Sequence, residues 1–389
     1  MGCKTQRRIL TKYYQTMMNR RDFINASVLA GSSVLASNVL TSCESRPKTR
    51  SKSERFERMQ VAFDFFSGGP NNAPKVQMAK ELGVKYAVAG VMSPRQLGLP
   101  AGTNAWDLES LQATVNAYAQ QGLKFCVVEG PPTLGSRTKL ALEGRDEEIS
   151  DFIQFMHNLG KVGVKVICYN WMPEIGWFRT TNDRETRGGS LVTGFDIEDA
   201  RDRRINRYNR EFSADEMWAN LEYFMKAVVP EAEKAGVLLA LHPDDPPIPM
   251  ISGISRILTS ADNLERAINL VKSPVNGLTL CQGCCAAMGE DIPATIRRFA
   301  DRFFFVHFRD VRGTRTNFEE VWHDDGITDM YAAMKTYYEL GFEGPIRPDH
   351  VPTMVNEDNS NPSYGLLGNL FAIGYMRGLM EAADTEVYG

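Results

Sequence analysis

The 389-residue sequence lacks most of the features that would commit a chain to a special class. It has no run of about 18 apolar residues, so no segment is long and apolar enough to cross a membrane as a helix. It has no basic excess: 44 Lys and Arg stand against 48 Asp and Glu, a net charge of -4, whereas a nucleic-acid partner ordinarily requires a positive surface. The seven cysteines (Cys3, Cys43, Cys126, Cys168, Cys281, Cys284 and Cys285) are too few and too unevenly spread for a disulfide scaffold. No glycine-rich dinucleotide fingerprint follows the first strand-like run. Histidine is scarce as well, with five in all, so each position carries weight. What remains, 43% hydrophobic and 24% charged, is an ordinary enzyme-sized composition.

The first segment reads as an address. Paired Arg20 and Arg21 precede a moderately apolar, Ser-rich stretch at 24–40, the pattern of a twin-arginine export signal. Leu-Thr-Ser-Cys at 40–43 looks like a lipobox whose cysteine, Cys43, is lipidated after cleavage. Residues 1–43 are therefore expected to be an export signal, 44–58 a flexible tether, and 59–389 the catalytic domain. Localisation is expected to be periplasmic or membrane-anchored through Cys43.

From residue 59 short apolar runs alternate with amphipathic stretches, the signature of a parallel α/β fold. Strands are expected at 59–65, 84–89, 124–129, 164–170, 237–242, 277–281, 303–308 and 345–349. Gly83, Gly122, Gly163, Gly236 and Gly344 precede five of them as helix-ending glycines. Helical spacing marks 108–121, 146–159, 214–235, 262–271 and 325–340. Eight such units predict a closed (β/α)₈ TIM barrel. One insertion, 171–211 after the fourth strand, is rich in Arg and Asp and has no core-like periodicity; its place marks it as a lid over the active site.

Residue types that bind metals fall at four successive strand ends: His242, Cys281, His307 and Asp349, with His350 next to the last. In this fold those ends form the catalytic face. Core packing gives no reason for four in register, so they predict a metal site. Structural zinc is less expected, because its ligands usually come in close pairs such as Cys-x₂-Cys. By softness, two imidazoles, a thiolate and a carboxylate suit zinc or iron(II). His157 and His323 fall in stretches read as helical and are expected on the surface.

These segments resemble the mannonate dehydratase family of sugar-acid catabolism. The resemblance rests on Cys-Tyr-Asn-Trp-Met-Pro at 168–173, Trp-Phe-Arg-Thr at 177–180, His-Pro-Asp-Asp-Pro-Pro at 242–247 and Cys-Gln-Gly at 281–283. It continues through His-Phe-Arg-Asp-Val at 307–311, Arg-Pro-Asp-His at 347–350 and Tyr364-Gly365. It implies a divalent metal, usually manganese, on His242, Cys281, His307 and Asp349, with His350 and Tyr364 as the acid–base residues. The implied reaction dehydrates D-mannonate, or a closely related aldonic acid, to a 2-keto-3-deoxy acid. Such chemistry needs a base for the proton at carbon 2, a Lewis acid for charge on the carboxylate, and an acid for the leaving hydroxyl. Arg309, Asp310 and Arg347 lie beside the ligands and are expected to bind the substrate carboxylate or to orient a ligand.

The chain departs from the family in its first half, where the usual His pair after the second strand is missing. Cys284 stands where a serine is common, and Met288 and Asn369 where arginines are usual. The alternatives to a sugar-acid lyase are a metal-dependent sugar isomerase or epimerase and a non-catalytic exported sugar-acid binding lipoprotein.

Overall fold

The computed structural model describes residues 58–200 and 206–389, and the expected export signal and nearly all of the tether lie outside them. Each expected barrel strand forms. In chain order they are β1 (Gln60–Asp64), β2 (Tyr86–Ala89), β3 (Lys124–Glu129), β4 (Val166–Asn170), β5 (Leu238–His242), β6 (Asn276–Cys281), β7 (Phe303–His307) and β8 (Pro345–Arg347). Every neighbouring pair is parallel, and β1 pairs with both β2 and β8, so the sheet closes. Strands buried on both faces need continuous apolar runs, which is why they could be read from sequence. Side chains such as Ala62, Val88, Val127, Ala240 and Phe305 fill the interior of the barrel as one apolar cluster.

The helices follow the expected segments. The longest expected one runs Ala214–Ala235 and starts in a capping box, with Ser213 receiving the Glu216 amide and the Glu216 carboxylate receiving that of Ser213. It ends at Gly236, whose φ of 69° only glycine adopts without strain. Gly344 is a correction: it is not left-handed, and the preceding helix, Met330–Glu339, ends three residues earlier near Gly341 at φ 66°. Gly344 instead leaves room for the Phe342 ring, which would lie 2.5 Å from a Cβ there.

The insertion at 171–211, partly outside the described residues, is more ordered than its composition suggests. Thr181–Glu185 and Leu191–Asp196 form a hairpin, completed into a four-stranded sheet by Asn317–Glu319 and Arg312–Thr314 from beyond β7. Phe178, Phe195 and Phe318 pack beneath it at centroid distances of 6.0 and 5.8 Å. The periodicity was invisible because half of this sheet comes from more than a hundred residues downstream.

Candidate metal centre and active site

Strand register brings the rare residues together. Cys281 sits opposite His307 across β6 and β7, and His307 opposite Arg347 across β7 and β8. Asp349 and His350 lie just past the end of β8 rather than in it, and Asp349 holds a left-handed backbone at φ 62°. Asp tolerates that region better than most residues, and here it turns the carboxylate back over the barrel mouth. The result is one cluster, buried except for the half-buried His242: Cys281 Sγ lies 3.8 Å from Asp349 Oδ2, and His307 Nδ1 lies 3.5 Å from the same oxygen and 3.2 Å from His242 Nε2.

These donors fit a divalent ion. His242 Nδ1 lies 2.7 Å from the Pro243 carbonyl oxygen, a group that can only accept, so Nδ1 carries the proton and the Nε2 lone pair faces inward. His307 Nε2 faces Glu129 Oε1 at 3.4 Å, which turns the lone pair of Nδ1 inward too. These two nitrogens, 3.2 Å apart, share a proton in the metal-free chain, and an ion that displaces it would take a lone pair from each. A tetrahedral ion with bonds of about 2.0–2.3 Å separates its donors by roughly 3.3–3.8 Å, the spacing found here. Another grouping, Glu129, Cys168 and His307, is less suited. Cys168 receives the Thr279 hydroxyl at 3.1 Å, and burial together with Glu129 pushes its thiol well above the usual range.

Glu129 at the end of β3 is a residue that sequence reading missed. Its carboxylate pairs with the Arg347 Nη2 at 2.8 Å. Burial opposes its ionisation, but Arg347 and His307 outweigh that and hold it at about 2. His307 moves the other way: burial and Arg347 push it down, while Asp349 and Glu129 win and raise it to about 9. An incoming cation therefore displaces a proton from it.

His350 carries a separate device. Its Nδ1 donates to Glu320 Oε1 at 2.6 Å, leaving Nε2 3.1 Å from the Tyr364 hydroxyl. Burial pushes the Tyr364 phenol well above its usual range, with Arg347 opposing and Asp349 adding to the rise. Glu320, also missed, is buried on the downstream hairpin thirty residues from His350, with no sequence signal of its own.

The three residues expected to meet substrate divide. Arg347 lines the cavity, and its Nη1 is buried without a protein partner. Arg309 does not line it: its Nε holds Asp349 Oδ2 at 2.6 Å, and its Nη atoms reach Asp245 at 2.8 Å and Glu320 at 3.0 Å. Arg179 of the cover joins the same carboxylates, gripping Asp245 through both nitrogens and Glu320 at 2.6 Å. Asp310 turns away altogether, accepting from the Thr328 amide and hydroxyl and from the Val311 amide, and so shapes the loop after β7.

Two histidine expectations change. His157 is half-buried on its helix against Glu231 at 2.9 Å. His323 is neither helical nor exposed: it is fully buried in a loop, bonded to the Pro348 carbonyl at 2.8 Å, and burial lowers it to about 4.

The mouth of the barrel is a cavity of about 150 Å³ walled by His242, Glu129, Arg347, His350, Tyr364 and Trp177. Trp177 comes from the cover and packs 5.0 Å from the His350 ring.

The profile of the D-mannonate dehydratase (UxuA) family matches residues 59–214 and 200–388. A mannonate dehydratase of Streptococcus uberis is 36% identical over 314 residues, 73% of this chain and 88% of its own length. One from Thermotoga neapolitana is 32% identical over 360 residues, 83% of this chain and 98% of its own. The crystal structure of mannonate dehydratase from Streptococcus suis serotype 2 superposes with a TM-score of 0.73 at 31% identity, covering 84% of this chain and 94% of that one. A D-tagatose 3-epimerase-like protein, 12% identical with a TM-score of 0.55, shares the barrel fold alone. Matched along both halves of its barrel, this chain belongs to the D-mannonate dehydratase family.

Proposed function

We propose that the chain is a metal-dependent hydro-lyase that dehydrates D-mannonate, or a closely related aldonic acid, to the 2-keto-3-deoxy acid. The observation that carries this reading is His350, set between Glu320 and Tyr364 in the same cavity as the donor cluster. His242, Cys281, His307 and Asp349 would hold the ion, and manganese, which the family resemblance implies, and zinc, which the donor types suit, are the ions to supply. When bound, the ion draws off the negative charge that builds on the substrate carboxylate. Arg347 Nη1, unpartnered at the cavity wall, is placed to take that carboxylate as well.

Glu320 keeps the proton of His350 on Nδ1 and so leaves the Nε2 lone pair free to take the proton from carbon 2. The electron pair of that C–H bond becomes the C2–C3 double bond as the hydroxyl on carbon 3 leaves. Tyr364, kept protonated by its burial, supplies the proton that turns the leaving group into water. The enol then rearranges to the keto acid. An epimerase has no hydroxyl to expel and no need of such an acid.

The test uses solvent deuterium with D-mannonate and a panel of related aldonic acids. Tyr364→Phe is expected to exchange the carbon-2 hydrogen while forming almost no keto acid, and His350→Asn to lose both. Keto acid formation undiminished in His350→Asn overturns the assignment of the base, and no product from any aldonic acid overturns the dehydratase reading.

Export of the chain, lipidation at Cys43, and a catalytic domain of 59–389 behind a tether at 44–58 belong to the same proposal, supported by the sequence of the first segment. Lipid labelling of the native and Cys43→Ala chains, followed by fractionation, checks it. Label equal in both would remove the anchor.

A further inference from the structure

Cys281 is followed at the third position by Cys284, a Cys-x₂-Cys pair of the kind in which both sulfurs grip one ion. The four donors were expected from four separate strand ends, and Cys284 stands beside one of them. Cys281 closes β6 and caps the short helix Gln282–Met288, which places Cys284 in the first turn, back over the strand end. Cys284 is buried at 2% exposure and packs with Cys281 and Met288 in a small group of its own. Its neighbour Cys285 points the other way, into the main apolar core. The ligand atoms of His242, Cys281 and Cys284 all lie within 4.8 Å of one another.

A second contact fixes the position of that sulfur. Arg309 Nη2 approaches Cys284 Sγ to 3.4 Å while also holding Asp245 at 2.8 Å. Burial and the hydrogen bond with Cys281 hold the Cys284 thiol well above its usual range, with Arg309 opposing, so this sulfur becomes a ligand by giving up its proton when an ion arrives. The approach is built into the backbone, since a Cβ at Gly283 would lie 2.3 Å from Arg309 Nη1. Only glycine between the two cysteines lets the guanidinium pass.

We propose that Cys284 is a further donor to the ion held by His242, Cys281, His307 and Asp349, and that this second thiolate selects zinc over manganese. The inference rests on the reading that those four residues hold an ion. On binding, the Cys284 thiol gives its proton to solvent and its sulfur lone pair to the ion. Soft thiolates favour zinc, whereas manganese prefers oxygen donors, so the second sulfur separates the two ions further than one would. The family's usual serine at this place offers a hydroxyl, a much poorer ligand for zinc.

The experiment loads the full-length chain with cobalt and reads the near-ultraviolet sulfur-to-cobalt charge-transfer band, whose intensity follows the number of bound thiolates. Cys284→Ser and Cys281→Ser are each expected to keep about half of the native intensity, and the double variant none. In parallel, the ratio of zinc to manganese affinity is expected to fall on the order of tenfold or more in Cys284→Ser. X-ray absorption on the native zinc-loaded chain needs no variant and is expected to show two sulfurs at about 2.3 Å. A native-strength band in Cys284→Ser, or a single sulfur by absorption, overturns the proposal and leaves the four-donor site standing. No cobalt bound by the native chain overturns the metal reading itself.

Discussion

The two halves of the barrel open onto the same mouth and supply it differently. Strands β5, β6 and β7 end in His242, Cys281 and His307, and Asp349 follows β8 by two residues. Strands β1 to β4 end in Asp64, Ala89, Glu129 and Asn170. The second half offers donors to an ion, and the first half braces. Asp64 is locked to Lys75 at 2.7 Å, Asn170 to Lys139 at 3.1 Å, and Glu129 turns across the barrel to Arg347.

That division can be broken by moving a donor. Asp349→Ala is expected to abolish tight metal binding and to cut turnover by on the order of 10³-fold or more, beyond the 10–100-fold typical of losing an outer partner. Metal analysis and turnover check it, and a variant that retains its ion would place the donors elsewhere.

Removing a brace from the first half is expected to cost stability and leave metal content unchanged. Lys75→Met strands a buried Asp64 carboxylate, a loss of about 3–5 kcal/mol that urea unfolding would measure. Metal lost along with stability would blur the two halves.

His323 sharpens the comparison from the donor side, since it holds the Pro348 carbonyl directly before Asp349. Burial lowers it to about 4, against an ordinary 6.5. As pH falls through that window the unfolded chain takes up a proton that the folded chain refuses. The stability it contributes is thus whole above about 6.5 and is lost toward 4, on the order of 3 kcal/mol. Unfolding of the metal-free chain across this range is expected to show the slope, and His323→Gln to flatten it.

The smallest effect concerns the one brace that touches a donor. Glu129→Gln is expected to weaken ion affinity by about 10–100-fold. Because His307 stays protonated up to about 9 in the metal-free chain, native affinity should rise with pH toward that value. Without the Glu129 charge the rise should level off at lower pH, which calorimetric titration at several pH values would show. Identical pH profiles would separate Glu129 from His307.

The barrel was legible because its strands are buried on both faces and its helices on one, so each leaves a contiguous or periodic apolar run. The eight strands form within a few residues of their expected bounds. The gathering of His242, Cys281, His307 and Asp349 was legible for a different reason: scarce residue types recurred at the ends of successive strands. The insertion at 171–211 was legible as a cover but not as a sheet, because the hairpin at Thr181–Glu185 and Leu191–Asp196 completes its sheet with strands contributed after β7. Glu320 was hidden for the same reason, and Glu129 because a carboxylate at a strand end looks like any solvated acid.

The sequence by itself therefore determined the closed parallel barrel, the end of it that matters and the rare side chains gathered there, since burial and periodicity act over a few neighbouring residues. Only the tertiary structure decided what those side chains do. It aimed His242 Nε2 and His307 Nδ1 at each other, left Arg347 facing the cavity while Asp310 turned away, and brought Arg179, Arg309, Asp245 and Glu320 into one buried ion cluster. Those outcomes depend on distances between groups tens to hundreds of residues apart, which chain closure sets and local pattern does not record.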